Sequence, residues 1–245
     1  MNKSLSKALD ILEALAKDNG SRSLETISRE IGLPLPTAFR MVRTLADRDY
    51  LVQGKKGRYF AGPALHKLAA QFSVERTVAG LARPLLDQLS RRYKCVAHFG
   101  IFEADMVTYL VRTGRDDTEF SSPEGSQLEA YCSAIGKILL AELPVENRER
   151  YLSSGPFIAL TDRTITDPVA LRERLKQAKE DGYAIDDREI YDSLYCVAVP
   201  VRFGKQGVIG SLSLSMSDYV PSDFEQDSRI SALHEVAATI ANHLA

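Results

Sequence analysis

Apolar side chains recur every three or four positions from the start of the chain: Leu5, Ala8, Leu9, Leu12, Leu15 and Ala16, with Lys7, Asp10, Glu13 and Lys17 elsewhere. That spacing puts one apolar stripe on a helix. Asn19-Gly20 ends it, because both residues tolerate the left-handed conformation of a helix terminus. Ser23 caps a second, short helix through Leu24, Ile27 and Ile31, closed at Gly32. Pro34 and Pro36 prepare a third helix, whose first turn has no use for the N–H that proline lacks. This helix is expected to carry Phe39, Val42 and Leu45 inward. Residues 50–52 and 58–60 then flank Gln53-Gly54-Lys55-Lys56-Gly57, two short strands around a glycine-rich basic turn. Three short helices and a hairpin make a winged helix-turn-helix.

Beyond it, Pro63 to about Arg92 reads as helical, broken at Pro84: a connecting helix and the first helix of a second domain. Residues 95–102 and 106–112 alternate apolar and polar around Glu103-Ala104-Asp105, as hairpin strands do. Residues 133–142 and 168–181 have helical spacing, the second capped by Asp167. Strands are expected at 183–186, 195–201 and 208–215, the last two joined by Gly204-Lys205-Gln206-Gly207, and a terminal helix after Val220-Pro221-Ser222-Asp223. Strands, then helices, then strands indicate an α+β domain with an antiparallel sheet. The expected division is 1–62 for the winged domain, 63–78 for a linker helix and 79–245 for the second domain.

Composition narrows the class. The 245 residues are 44% apolar, enough for two cores. No apolar run resembles a secretory signal or approaches a membrane span, so a cytoplasmic protein without a membrane partner is expected. Cys95, Cys132 and Cys196 are scattered and odd in number, which argues against a disulfide framework or a CxxC metal site. The four histidines have no metal spacing, and no cofactor is expected. The net charge of −2 hides an asymmetry: twelve Lys and Arg face seven Asp and Glu through residue 70, against nineteen and twenty-six in the remainder. A basic head on an acidic body suits a polyanion at one end.

Thr37, Arg40 and Thr44 stand at i, i+3 and i+7 of the third helix, one face that a helix-turn-helix inserts into the major groove. Arginine takes guanine bidentately, and threonine meets phosphate or a thymine methyl. Arg43 at the margin suits phosphate, and Pro36 starts the helix beside this face. Lys55, Lys56 and Arg58 on the wing neutralise backbone charge and add affinity without sequence choice. Taken alone, the two arginines also fit the solvated side of a small helix. The co-occurrence of apolar face, short preceding helix, double proline and basic wing favours double-stranded DNA as a partner.

In order and spacing, several segments resemble the isocitrate lyase regulator (IclR) family of transcription factors over nearly the full length. They are residues 7–12 (Lys-Ala-Leu-Asp-Ile-Leu), 31–37 (Ile-Gly-Leu-Pro-Leu-Pro-Thr), 57–63 (Gly-Arg-Tyr-Phe-Ala-Gly-Pro), 133–141 (Ser-Ala-Ile-Gly-Lys-Ile-Leu-Leu-Ala), 165–167, 182–187, 196–201 and 211–215. The resemblance implies a GAF-like α/β effector-binding domain and a homodimer or a tetramer of two dimers. It further implies a palindromic operator and a small-molecule effector, an organic acid or aromatic metabolite, governing a catabolic operon. Carried over by motif, the effector site comprises Asp186, Cys196, Ser213 and Ser215 with the backbone N–H groups of Ala134 and Ile135. Two departures stand out. Residues 125–132 lack the family's small or His-containing approach, and Tyr131, with Tyr109, Phe120 and Tyr195, is expected to favour an aromatic or bulkier effector. Leu35 stands where a basic or polar residue is common.

Other readings of the same residues stay open at this level. Ser213 and Ser215 suit the exposed face of a half-buried strand, Cys196 a small core position, and Asp186 a turn. Asp186, Cys196 and His98 taken as a nucleophile set would suggest an enzyme. No G-x-S-x-G elbow, phosphate loop or HExxH accompanies them, and no enzyme is expected. A DNA-binding protein without a ligand is the remaining alternative.

Overall fold

A computed structural model describes residues 2–71, 73–114, 122–204, 207–217 and 221–244. Its chain separates into two units, Met1–Ser73 and Val74–Ala245, a division that falls inside the 63–78 stretch.

In the first unit, the Asn2 side chain accepts from the N–H of Ser4 and Leu5 and opens helix α1 (Lys3–Asp18), which Asn19 closes at φ 48°. Ser23 accepts from the Thr26 N–H to cap α2 (Leu24–Glu30), and Pro34 precedes α3 (Leu35–Asp47). Strands β1 (Leu51–Gln53) and β2 (Tyr59–Ala61) pair antiparallel across a single tight turn at Lys55–Gly57. Helix α4 (Pro63–Gln71) completes the unit. Its core joins Ile11, Leu15, Leu24, Ile27, Val42 and Leu51. The inward face of α3 is Ala38 and Val42, with Leu45 half-buried, whereas Phe39, expected inside, is 49% exposed. Phe39 follows Ala38 by one residue, about 100° around the helix, and so falls outside the stripe. The Phe60 ring lies over Gly20, where a Cβ would come within 2.2 Å of it, and Gly20 also has φ +72°.

In the second unit α5 (Val74–Tyr93) runs unbroken with Pro84 inside it. The break expected at Pro84 does not occur. Burying Val78, Leu86 and Leu89 at roughly 1.5–3 kcal/mol each outweighs the roughly 3 kcal/mol that an internal proline costs. Strands β3 (Val96–Glu103), β4 (Met106–Thr113), β5 (Gln127–Glu129), β6 (Ala184–Asp187), β7 (Leu194–Arg202) and β8 (Val208–Ser217) form one antiparallel sheet in the order β5-β4-β3-β8-β7-β6. Helices α6 (Ala134–Glu142), α7 (Val145–Leu152), α8 (Pro168–Asp181) and α9 (Asp223–Leu244) complete it. β5 and α7 have no counterpart in the sequence pattern. Phe120, Lys205, Gln206 and Val220, named in that pattern, lie outside the described residues.

The sheet has two chemically different faces. Val197, Val199, Leu212, Leu214, Phe99 and Val111 pack against α5 and α9. Cys196, Ala198, Tyr109 and Ala184 turn toward α6 and α8. None of the described helices is long and apolar enough to cross a membrane.

Helix α6 is buried on every side from Ala134 to Ala141. A Cβ on Gly136 would lie 2.1 Å from the backbone oxygen of Ala130. Gly136→Ala is therefore expected to destabilise the second unit by about 1–3 kcal/mol through overpacking. Gly80→Ala, in the exposed middle of α5 where an added Cβ meets open space, is expected to gain about 0.4–1 kcal/mol. Urea denaturation of the two variants checks both the sign and the contrast.

Candidate functional site

The first unit carries a cationic surface. The arginines before and within α2 are engaged: Arg22 bridges Asp18 at 2.6 Å and Glu30 at 2.5 Å, and Arg29 meets Glu25 at 3.1 Å. Arg40 and Arg43 on α3 are exposed and form no ion pair among the described residues. Pro36 and Thr44 are exposed with them, and Thr37 is half-buried. The Thr44 hydroxyl donates to the Arg40 carbonyl at 3.0 Å, which leaves its methyl and its lone pairs for an outside partner. On the wing Lys55, Lys56 and Arg58 are all exposed, and Lys56 sits at φ 58° at the tip of the turn. These are exposed cationic and hydroxyl groups carried by α3 and the wing.

The second unit encloses a cavity of about 170 Å³ between the α6 face of the sheet and the start of α6. Strand alternation builds its floor. On β8 the side chains of Ser213 and Ser215 point to the cavity, while Leu212 and Leu214 enter the core on the other side. Ser213 is 3% exposed, so these serines are not a solvent-facing row. Register sets Asp186 opposite Cys196, and Cys196 opposite Ser215, in one line across three strands. Ala134 and Ile135 form the roof. Ser133 accepts from the Gly136 N–H at 3.0 Å and its carbonyl takes the Lys137 N–H. By helix geometry the amides of Ala134 and Ile135 then have no intrahelical acceptor.

His98, set beside Asp186 and Cys196 in the sequence only under the enzyme reading, lines the cavity with Tyr191 and Gln127, its ring tilted against Tyr109 with centroids 4.5 Å apart. Tyr131 and Tyr195, expected near an effector, are elsewhere. Tyr131 donates to the Ile158 carbonyl at 2.7 Å and packs on Phe157; Tyr195 lies on the opposite sheet face, bonded to Gln226. Odd and even positions of β7 face opposite sides, which separates Tyr195 from Cys196.

Beneath the cavity lies a buried ion pair, Lys137 with Glu189, the lysine wholly inaccessible. Lys137 also donates to the Ile185 carbonyl at 2.8 Å. A lone lysine among Ile135, Ile138, Leu139 and Leu140 was the available signal, since a helix apolar on all sides is buried and its charge needs a partner. The Glu189 N–H donates to Asp186 Oδ1 at 2.7 Å, whereas Asp186 Oδ2 is buried with no hydrogen-bond partner. Burial pushes the Asp186 carboxyl up to about 7, against the opposing pull of Lys137. Burial likewise drives the Cys196 thiol well above its ordinary range, and Cys196 donates to Ser215 Oγ at 3.2 Å. A protonated, buried thiol is a wall and a poor nucleophile. Among the described residues lining the cavity there is one carboxylate, Asp186, and no lysine or arginine.

A carboxyl whose pKa rises on folding loses folded-state stability as pH climbs from its unfolded value near 4 through about 7. Asp186→Asn cannot ionise. Its stability relative to wild type is expected to improve between pH 5 and pH 8. His234, lowered by burial, is present in both proteins and cancels in the difference. Denaturation at stepped pH measures it, and a pH-independent difference removes the assigned cause.

Residues 71–242 match the family described as Bacterial transcriptional regulator IclR C-terminal, and residues 4–55 match the IclR helix-turn-helix domain. The HTH-type transcriptional regulator BhcR of Paracoccus denitrificans is 29% identical over 244 residues, 99% of this chain and 86% of that protein. XynR, an HTH-type transcriptional regulator of Escherichia coli, is 30% identical over 218 residues, 86% of this chain and 85% of that protein. Among solved structures, an IclR homolog complexed with 4-hydroxybenzoate from Microbacterium hydrocarbonoxydans superposes with TM-score 0.65 at 26% identity, covering 99% of each chain.

Proposed function

Since this chain belongs to the IclR family of bacterial DNA-binding transcriptional regulators and is not an enzyme, we propose that a small organic acid in the second unit controls its grip on an operator. The carrying observation is a cavity of about 170 Å³ in one unit of a chain whose other unit exposes a cationic helix-turn-helix. A cavity of ~150 Å³ accepts benzene, so this one holds a metabolite of similar size, aliphatic or aromatic. The likeness to a protein complexed with 4-hydroxybenzoate supports an acid. Ala134, Ile135, Asp186, Cys196, Ser213 and Ser215 form the effector site. Thr37, Arg40 and Thr44 read base edges; Pro36 sets the start of that helix. Arg43, Lys55, Lys56 and Arg58 meet phosphates. A homodimer, alone or paired into a tetramer, places two such helices on a palindromic operator of a catabolic operon in the cytoplasm.

Fluorescence anisotropy with the DNA upstream of the regulated gene tests the reading. Arg40→Ala with Arg43→Ala is expected to abolish the preference for operator over random DNA. Lys55→Ala with Lys56→Ala is expected to weaken binding to both alike and to reduce the salt slope by about two. A bound acid is expected to change operator affinity about 5- to 150-fold. Intact operator preference in the arginine double variant would overturn the reading helix.

A further inference from the structure

We infer that Phe39 is a further base-reading side chain of α3, and that the group it recognises is the C5 methyl of a thymine in the major groove. This rests on the reading of α3 as the helix that enters DNA. The apolar spacing predicts Phe39 inside, yet it is 49% exposed, while Ala38 and Val42 on the same helix are wholly buried. A single exposed apolar residue is ordinary on a protein surface, so exposure by itself decides nothing. The neighbours decide. Pro36 and Arg43, at i−3 and i+4, adjoin Phe39 on the helix surface, and Arg40 follows it in the chain; all three are exposed. Among the described residues Phe39 is the one large apolar side chain of α3 left in solvent. The ring therefore stands among the cations of α3, in the N-terminal half of a helix that runs from Leu35 to Asp47. That half is the part a helix-turn-helix presents to base edges.

A phenyl ring has neither a hydrogen to donate nor a lone pair to offer, so it cannot bond the polar edge of any base. Pressed against such an edge, it strips water from donors and acceptors and replaces none of their bonds. The bases of a duplex stay stacked, which denies the ring their faces. The thymine methyl is the apolar group that projects into the major groove, and contact with it removes apolar surface from water on both partners. Arg40 and Arg43, unpaired among the described residues, remain for the guanine edges and phosphates on either side.

Selection from random duplex DNA by the full chain, followed by fluorescence anisotropy on the selected sequence, reads this directly. Each thymine in turn is replaced by deoxyuridine, which lacks only the methyl. At one position the replacement is expected to weaken wild-type binding about fourfold per methyl removed. In Phe39→Ala, checked for an unchanged melting profile, thymine and deoxyuridine at that position are expected to bind equally. Phe39→Gln, a strong helix former whose amide suits adenine, is expected to lose the same penalty and to select adenine there; it serves if the alanine variant does not fold. A deoxyuridine penalty that persists in either variant belongs to Thr37 or Thr44 and would overturn the inference. A selected sequence without thymine, or a wild type insensitive to deoxyuridine at every thymine, would overturn it too. The reading helix then still stands if Arg40→Ala with Arg43→Ala abolishes selection. No sequence preference in the wild-type selection would overturn the reading helix and the inference together.

Discussion

A lysine with no access to water sits in the middle of α6, and the cavity is arranged around the need to neutralise it. Leaving such a charge unpaired costs about 3–5 kcal/mol, so Glu189 has to be where it is. The loop that carries Glu189 is fixed in turn: Thr164 donates to the Glu189 carbonyl at 2.6 Å and Thr161 to the Arg188 carbonyl at 2.7 Å. The Glu189 N–H then orients Asp186 by donating to one of its oxygens. One buried ion pair thus sets the direction of the only carboxylate among the described walls. Neither member of the pair is among the described residues that line the cavity, and Glu189 Oε2 is itself buried without a hydrogen-bond partner.

The second constraint is the strict alternation of β8. Leucines at 212 and 214 supply the core against α5 and α9, and serines at 213 and 215 keep the opposite face small and polar. Larger side chains at the serine positions would fill the space under α6, and apolar ones would leave its first amides facing hydrocarbon. Gly136 allows α6 to lie directly against Ala130, which keeps its N-terminus close to the sheet. A hollow between sheet and helix follows from small residues on one side and close backbone approach on the other.

The two units handle charge in opposite ways. In the first, Arg22 and Arg29 are tied to neighbouring acids while the arginines of α3 and the wing face solvent. That leaves a positive field for a polyanion. In the second, Lys137 and Glu189 are buried and paired, and burial raises the Asp186 carboxyl to about 7 and the Cys196 thiol well above its ordinary range. Charges are cheap to expose at a wet surface, whereas in a buried hollow each polar atom must find a partner.

Much of this was readable along the chain. Asn19, Ser23, Asp167 and Gly182 act locally, by capping or by tolerating positive φ, so α1, α2 and α8 end where their residues say. The two-residue alternation of Ser213 and Ser215 already put both hydroxyls on one side of a strand. Other features depended on distant partners. Packing of Val78, Leu86 and Leu89 carried α5 through Pro84, and a shift of one position in the buried stripe left Phe39 outside. Tyr131 and Tyr195 went to separate cores, while His98 and Tyr191 arrived at the cavity. Local chemistry governs caps and periodicity because those bonds span a few residues. Which serine row faces a helix, and which oxygen stays without a partner, depends on strands brought together from far apart in the chain.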